Sequence, residues 1–158
     1  MIGFIRNTTK WRLRRVSSIR TFCCALPVGL ILKHKIVDAA LARLAEQGTI
    51  LHYTFQNIAE LWNVMTRPVT NNGLGLSAAE TDREVRSIED GMVLLADSAL
   101  VYQEWRRIVA KHNVSGVRVH DARLAAAMYV HGVSHTLTLN VKDFSRFDGL
   151  IAFHPDSV

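Results

Sequence analysis

Three carboxylates, Glu60, Asp121 and Asp143, and the amide of Asn140 are the residues of this sequence best suited to shared chemistry. Each acid has an ordinary explanation on its own. Asp121 stands near the start of the helix-like segment "HDARLAAAMYVHG", where a carboxylate serves free N–H groups and the helix dipole. Its same-face neighbours are Leu124, Ala125 and Met128, so it points along an apolar face. Asp143 follows the alternating run "HTLTLN" and reads equally as a turn or cap acid before "FSRF". Glu60 lies within "FQNIAELWNVMTRP", with Gln56, Asn57, Asn63, Val64 and Arg67 on its side of the helix, a pattern that also fits a solvated stripe. The three gain meaning together. Carboxylates about 5 Å apart repel by roughly 3 kcal/mol per pair at an effective dielectric near 20. A hard divalent cation offsets that repulsion, and Mg²⁺ is the usual choice beside phosphates. Such a cation lowers the pKa of a bound water and orients a phosphodiester for in-line attack.

The elements that must position these groups alternate. "KIVDAALARLAEQG" carries Ile36, Val37, Ala40, Leu41 and Leu44 on one stripe and predicts a helix ending near Gly48. Thr49–Tyr53 predicts a strand, and the helix bearing Glu60 follows until Pro68 stops it. "VTNNGLG" is a loop. Ser77 with Glu80 three residues later forms a capping-box pattern for the next helix. Met92–Leu95 predicts a second strand, and "SALVYQEWRRIVAKHN" a helix with Val101, Trp105, Ile108 and His112 inward. The helix of Asp121, the strand "HTLTLN", a turn or short helix at "KDFSRF" and a last strand in "GLIAFHP" complete the order. Alternating helices and strands with short connections predict an α/β sandwich around a mostly parallel sheet. In such sheets the carboxyl ends of the strands form one rim, which carries the active site.

The segments "NIAELWNVMTRP", "HDARLAAAMYVHGV" and "LTLNVKDF" resemble the PIN-domain nucleases, especially the VapC-type toxins of toxin–antitoxin pairs. The resemblance runs from about Ile36 to Pro155, and the order and spacing of the three segments carry it. It implies a three-layer α/β/α PIN-like domain over residues 36–158 and a metal-dependent endoribonuclease. By the family pattern Glu60, Asp121 and Asp143 are the catalytic acids and hold Mg²⁺ or Mn²⁺. Asn140 falls beside them and contacts the metal or its water, with Thr138 in support. Implied partners are an RNA substrate, a small antitoxin protein and a second copy in a homodimer, with no membrane and a cytoplasmic location. Arg67, Arg123 and Lys142 are candidates for RNA phosphate and read equally well as surface charges. His120 reads as a donor beside Asp121 or, with slight preference, as a plain strand-end residue.

The same family pattern opens with a strand ending in an acid, and here the first acid of the sequence is Asp38, already inside a predicted helix. Residues 1–35 form an atypical basic segment in place of that strand. Residues 1–37 carry eight Lys and Arg and no acid, so within a net charge of +5 the remaining residues carry −3. The high pI of 9.6 therefore belongs to the N-terminus and is no argument for nucleic-acid binding by the body. Cys23 and Cys24 are adjacent and supply neither a disulfide framework nor a four-ligand zinc site.

Three explanations of the basic segment stay open. One is a targeting peptide, since "KWRLRRVSS" precedes an apolar run, although no small-residue cleavage site follows. The second is a degenerate nuclease that keeps the fold and its partner binding. The third, a hypothesis about the gene, is a frameshift. Read out of frame, Ser18 through Cys24 can encode Asp-Ser-Asn-Ile-Leu-Leu-Arg, an opening of the expected type. A Ser18 codon not ending in G would rule out that Asp. On the first-acid deficit, reduced or absent activity and a gap in the sheet are both expected.

Overall fold

The computed structural model describes the backbone of residues 21–25 and 30–158, and side chains from Ile36 onward. Five parallel strands form one sheet in the spatial order β3-β2-β1-β4-β5. They are β1 (Thr21–Ala25), β2 (Ile50–Thr54), β3 (Val93–Leu95), β4 (His135–Thr138) and β5 (Ile151–Phe153). The helices are α1 (Leu30–Glu46), α2 (Phe55–Thr66), α3 (Ala78–Gly91), α4 (Ala99–Lys111), α5 (Arg118–His131) and the single turn α6 (Val141–Phe144). Every strand is followed by a helical segment, which is what a parallel sheet requires.

The expected gap in the sheet is not there. The backbone of Thr21–Ala25 occupies the central position, with Phe22 in register with both Leu51 of β2 and His135 of β4. Backbone hydrogen bonding does not depend on which side chains a strand carries, so β1 pairs without an acid in its five residues. The first helix also begins before Ile36, at Leu30. The remaining residues of the atypical segment and of the frameshift reading lie outside the described ones.

The strands alternate in and out, and the two faces bury different sets. On β4, Leu137 joins Val37, Ala40, Leu41, Leu44 and Leu51 in one apolar cluster, so α1 covers that face. Ile36 is the correction to the α1 stripe: it is 36% exposed while Val37, Ala40 and Leu44 are buried. The larger cluster joins Leu95, Val101, Ile108, Leu124, Ala125, Met128, Phe144 and Phe147, so α4, α5 and α6 pack together. Small side chains at Ala122, Ala125, Ala126 and Ala127 let α5 sit closely within this layer, and all four are buried. His112 meets Phe147 edge-on, with ring centroids 5.7 Å apart. Ser77 caps α3 in a reciprocal capping box with Glu80, as its sequence predicts.

Candidate active site

Three connections place polar side chains at the carboxyl rim of the sheet. After β2 the chain turns directly into α2. Thr54 is the N-cap, its hydroxyl accepting from the Asn57 amide, while the Thr54 backbone N–H donates to Asn57 Oδ1 at 2.8 Å. This box fixes the start of the helix, and one and a half turns on it presents Glu60. After β4 the chain reverses at Asn140, whose backbone N–H donates to Thr138 Oγ1 at 3.1 Å. The Asp143 N–H then donates to the Asn140 carbonyl at 3.0 Å, closing the turn that carries Asp143. The third group comes from α5, which begins at Arg118, so Asp121 and His120 both lie in its first turn.

These elements enclose a cleft of about 320 Å³ lined by Gln56, Asn57, Glu60, Val117, Arg118, His120, Asp121, Leu124, Thr138, Asn140 and Asp143. Glu60, Asp121, Asp143 and Asn140 thus meet in one place, with Thr138 at its floor. Glu60 does not lie on a solvated stripe. It is half-buried, and Val64, one turn on along the same side, is 2% exposed. His120 is on a helix rather than at a strand end, and it lines the cleft. Arg67, Arg123 and Lys142 do not line it. Arg123 is instead paired with Asp97 at 2.6 Å. Arg118 is the cationic lining residue, and its assignment needed the true start of α5, two residues before the segment that looked helical.

The electrostatics bear the mark of crowded acids. Burial pushes the Asp121 carboxyl above its ordinary value, Asp143 and then Glu60 push it further, and His120 and Arg146 pull it back by less. An anion here is therefore disfavoured unless positive charge is brought in. Gln56 spans the cleft wall, its Nε2 donating to Glu60 Oε1 at 2.8 Å and to the His120 carbonyl at 3.3 Å. Gln56 Oε1 is buried and has no hydrogen-bond partner among the described residues. Leaving a buried acceptor unpaired costs about 1–3 kcal/mol. Neither Gln56 nor Asn57 was singled out in sequence, because each is a common residue of an exposed helix face.

Among the described residues no group of three His, Cys, Asp or Glu side chains converges closely enough to cage a metal ion. The donor set is nonetheless hard oxygen throughout. Mg²⁺ keeps several waters and takes only one or two carboxylates from a protein. The lining acids and amides are of the kind such a hydrated cation takes, and do not form a closed three-ligand site among the described residues.

A parallel α/β fold with an acidic cleft at its carboxyl rim is the class that the geometry defines. Comparison with solved structures agrees. The chain superposes on VapBC2 from Rickettsia felis bound to a promoter DNA fragment with a TM-score of 0.61, at 15% identity over 85% of this chain and 98% of that one. For DNA-bound VapBC from Salmonella typhimurium the TM-score is 0.61, at 13% identity over 87% and 99%. For VapBC-1 from nontypeable Haemophilus influenzae it is 0.60, at 17% identity over 85% and 98%. No family model matches the sequence, and no curated protein matches it. The fold is the one these VapBC structures share, in a three-layer α/β/α arrangement.

Proposed function

We propose that this chain is a metal-dependent endoribonuclease of the PIN/VapC toxin type, weakened by the absence of an acid on β1. The observation that carries the proposal is the meeting of Glu60, Asp121 and Asp143, from α2, α5 and α6, in a single cleft. Glu60, Asp121 and Asp143, with Asn140, would hold Mg²⁺ or Mn²⁺, directly or through its bound waters. When bound, the cation supplies positive charge beside the phosphate and makes a coordinated water more acidic. The chain's own groups do the rest. An acid of the cleft not bound directly to the cation is placed to take a proton from an attacking water. Arg118 and His120, exposed on the lip of the cleft, are placed to meet the RNA backbone. Leu124, Thr138 and Val117 shape the walls and limit the space for water.

The solved structures named above are VapBC complexes, some with DNA, and this supports a small antitoxin as partner. It also supports a homodimer, for which Leu100 and Tyr102 on α4, 63% and 57% exposed, offer apolar surface. Cytoplasmic action belongs to the same proposal. Among the described residues no helix is long and apolar enough to cross a membrane.

A second reading is favoured by a specific observation. No acid stands in β1, and no three-acid cage forms among the described residues. On that reading the chain is a catalytically inactive PIN-like protein that binds an antitoxin or RNA. A cleavage assay on mixed RNA with Mg²⁺, with EDTA, and with Asp121→Asn separates the two. The nuclease reading expects slow cleavage that EDTA abolishes and the substitution removes. Metal-dependent cleavage unchanged in Asp121→Asn would show the site assignment wrong. Absence of cleavage with retained RNA or antitoxin binding would establish the second reading.

A further inference from the structure

We infer that Gln56 is a positioning residue for Glu60, holding its carboxylate toward the cleft and tying it to the first turn of α5. This rests on the proposal that the cleft binds a divalent cation. Gln56 and Glu60 are four residues apart, so they stack on one face of α2. One Nε2 group donates both to Glu60 Oε1 at 2.8 Å and to the His120 carbonyl at 3.3 Å. Both partners are acceptors, so the amide can face them only with its nitrogen, and its orientation is determined by chemistry. His120 is the residue before Asp121. A single side chain thus links the backbone that carries one acid to the side chain of another, 64 residues apart in sequence across the Gln56–His120 bond.

The remaining amide atom sharpens the inference. Gln56 Oε1 is buried without a partner among the described residues. Leucine or methionine would fill this volume with no buried acceptor. What the amide adds over either is the pair of Nε2 bonds. A carboxylate held by a donor is also restrained from turning to solvent, and groups that orient a metal's ligands typically affect affinity by about 10–100-fold.

The experiment measures Mn²⁺ binding to the full chain by calorimetry in parent, Gln56→Met, Glu60→Gln, the double variant and Asp121→Asn. Far-UV circular dichroism checks the fold of each. Gln56→Met should weaken Mn²⁺ binding by about 10–100-fold. In the Glu60→Gln background it should add less than about 2-fold, because its effect passes through Glu60. Binding equal to the parent, or the same loss in both backgrounds, overturns the inference and leaves the cleft reading standing. A parent that binds no Mn²⁺, or an Asp121→Asn chain that binds as the parent does, overturns the cleft reading and this inference with it. Should Gln56→Met fail to fold, the side-chain amide signals of Gln56 in nitrogen–proton spectra decide. They should shift when Glu60→Gln is introduced, and unshifted signals overturn the inference.

Discussion

Replacing Asp121 by Asn removes one negative charge from the cleft with almost no change of shape. The effect on stability follows from the surroundings of that carboxyl. Burial, Asp143 and Glu60 all oppose its charge, and His120 and Arg146 relieve it only in part. Two like charges about 6 Å apart repel by about 3 kcal/mol at an effective dielectric near 20, and by about 0.7 kcal/mol in bulk water. Asp121 is half-exposed, so the water limit weighs heavily. Two such repulsions, less the two attractions, leave a destabilisation of about 1 kcal/mol. In a chain of this size that is about 2–4 °C in Tm. The sign with pH is definite. A carboxyl whose pKa is raised on folding is protonated in both states at low pH and costs nothing there. Stability is lost as pH rises through the folded-state value and the group must ionise. Asp121→Asn should therefore melt about 2–4 °C above the parent at pH 7 in EDTA. The two should converge below about pH 3, under the ordinary aspartate value. Differential scanning calorimetry across that range is the assay. A variant no more stable than the parent at neutral pH, or an advantage that persists undiminished in acid, would refute this account of the cleft.

Three further outcomes are expected. An added Cβ at Gly73 would collide with the Arg67 carbonyl just past α2, so Gly73→Ala should cost at least about 2 kcal/mol and lower Tm by 4 °C or more in a melting experiment. Trp105 Nε1 donates to the Val119 carbonyl at 3.1 Å and pins the start of α5, so Trp105→Phe should cost about 1 kcal/mol in a urea titration. Arg123 is held by Asp97 with both side chains over 40% exposed, so Arg123→Ala should change stability by less than about 1 kcal/mol. It should leave RNA binding unaltered in a filter assay, whereas Arg118→Ala weakens that binding and flattens its salt dependence.

Legibility in the sequence followed the strength of local signals. The helices and strands from Thr49 onward are readable because burial imposes a period, as Val101 and Ile108 show on α4 and Leu137 on β4. Caps are equally legible, since Ser77 and Glu80 satisfy each other within one turn. The meeting of the three acids follows from topology: α2 and α6 start where β2 and β4 end, and α5, which runs back into the start of β4, begins at the same rim. What was hidden depended on neighbours distant in sequence. Val64 looked like part of a polar face until the packing of α2 buried it. Arg118 and the helical setting of His120 were hidden because "RV" ahead of "HDAR" has no capping side chain, and Val117 makes no side-chain cap bond to α5. The role of Gln56 shows only once its amide, beside Glu60, is seen also to reach the His120 carbonyl 64 positions away. β1 shows the opposite lesson. Its letters offer no alternating polar pattern and no acid, yet edge pairing to β2 and β4 makes it the central strand.

The central claim is that the acids of α2, α5 and α6 share one divalent cation. Anomalous diffraction from crystals of this chain grown with Mn²⁺ tests it most directly. The account predicts one anomalous peak in the cleft, within coordination distance of Asp121 and Asp143 and weakened in Asp143→Asn crystals. An empty cleft at saturating Mn²⁺, or a peak held only by residues outside it, would contradict the claim.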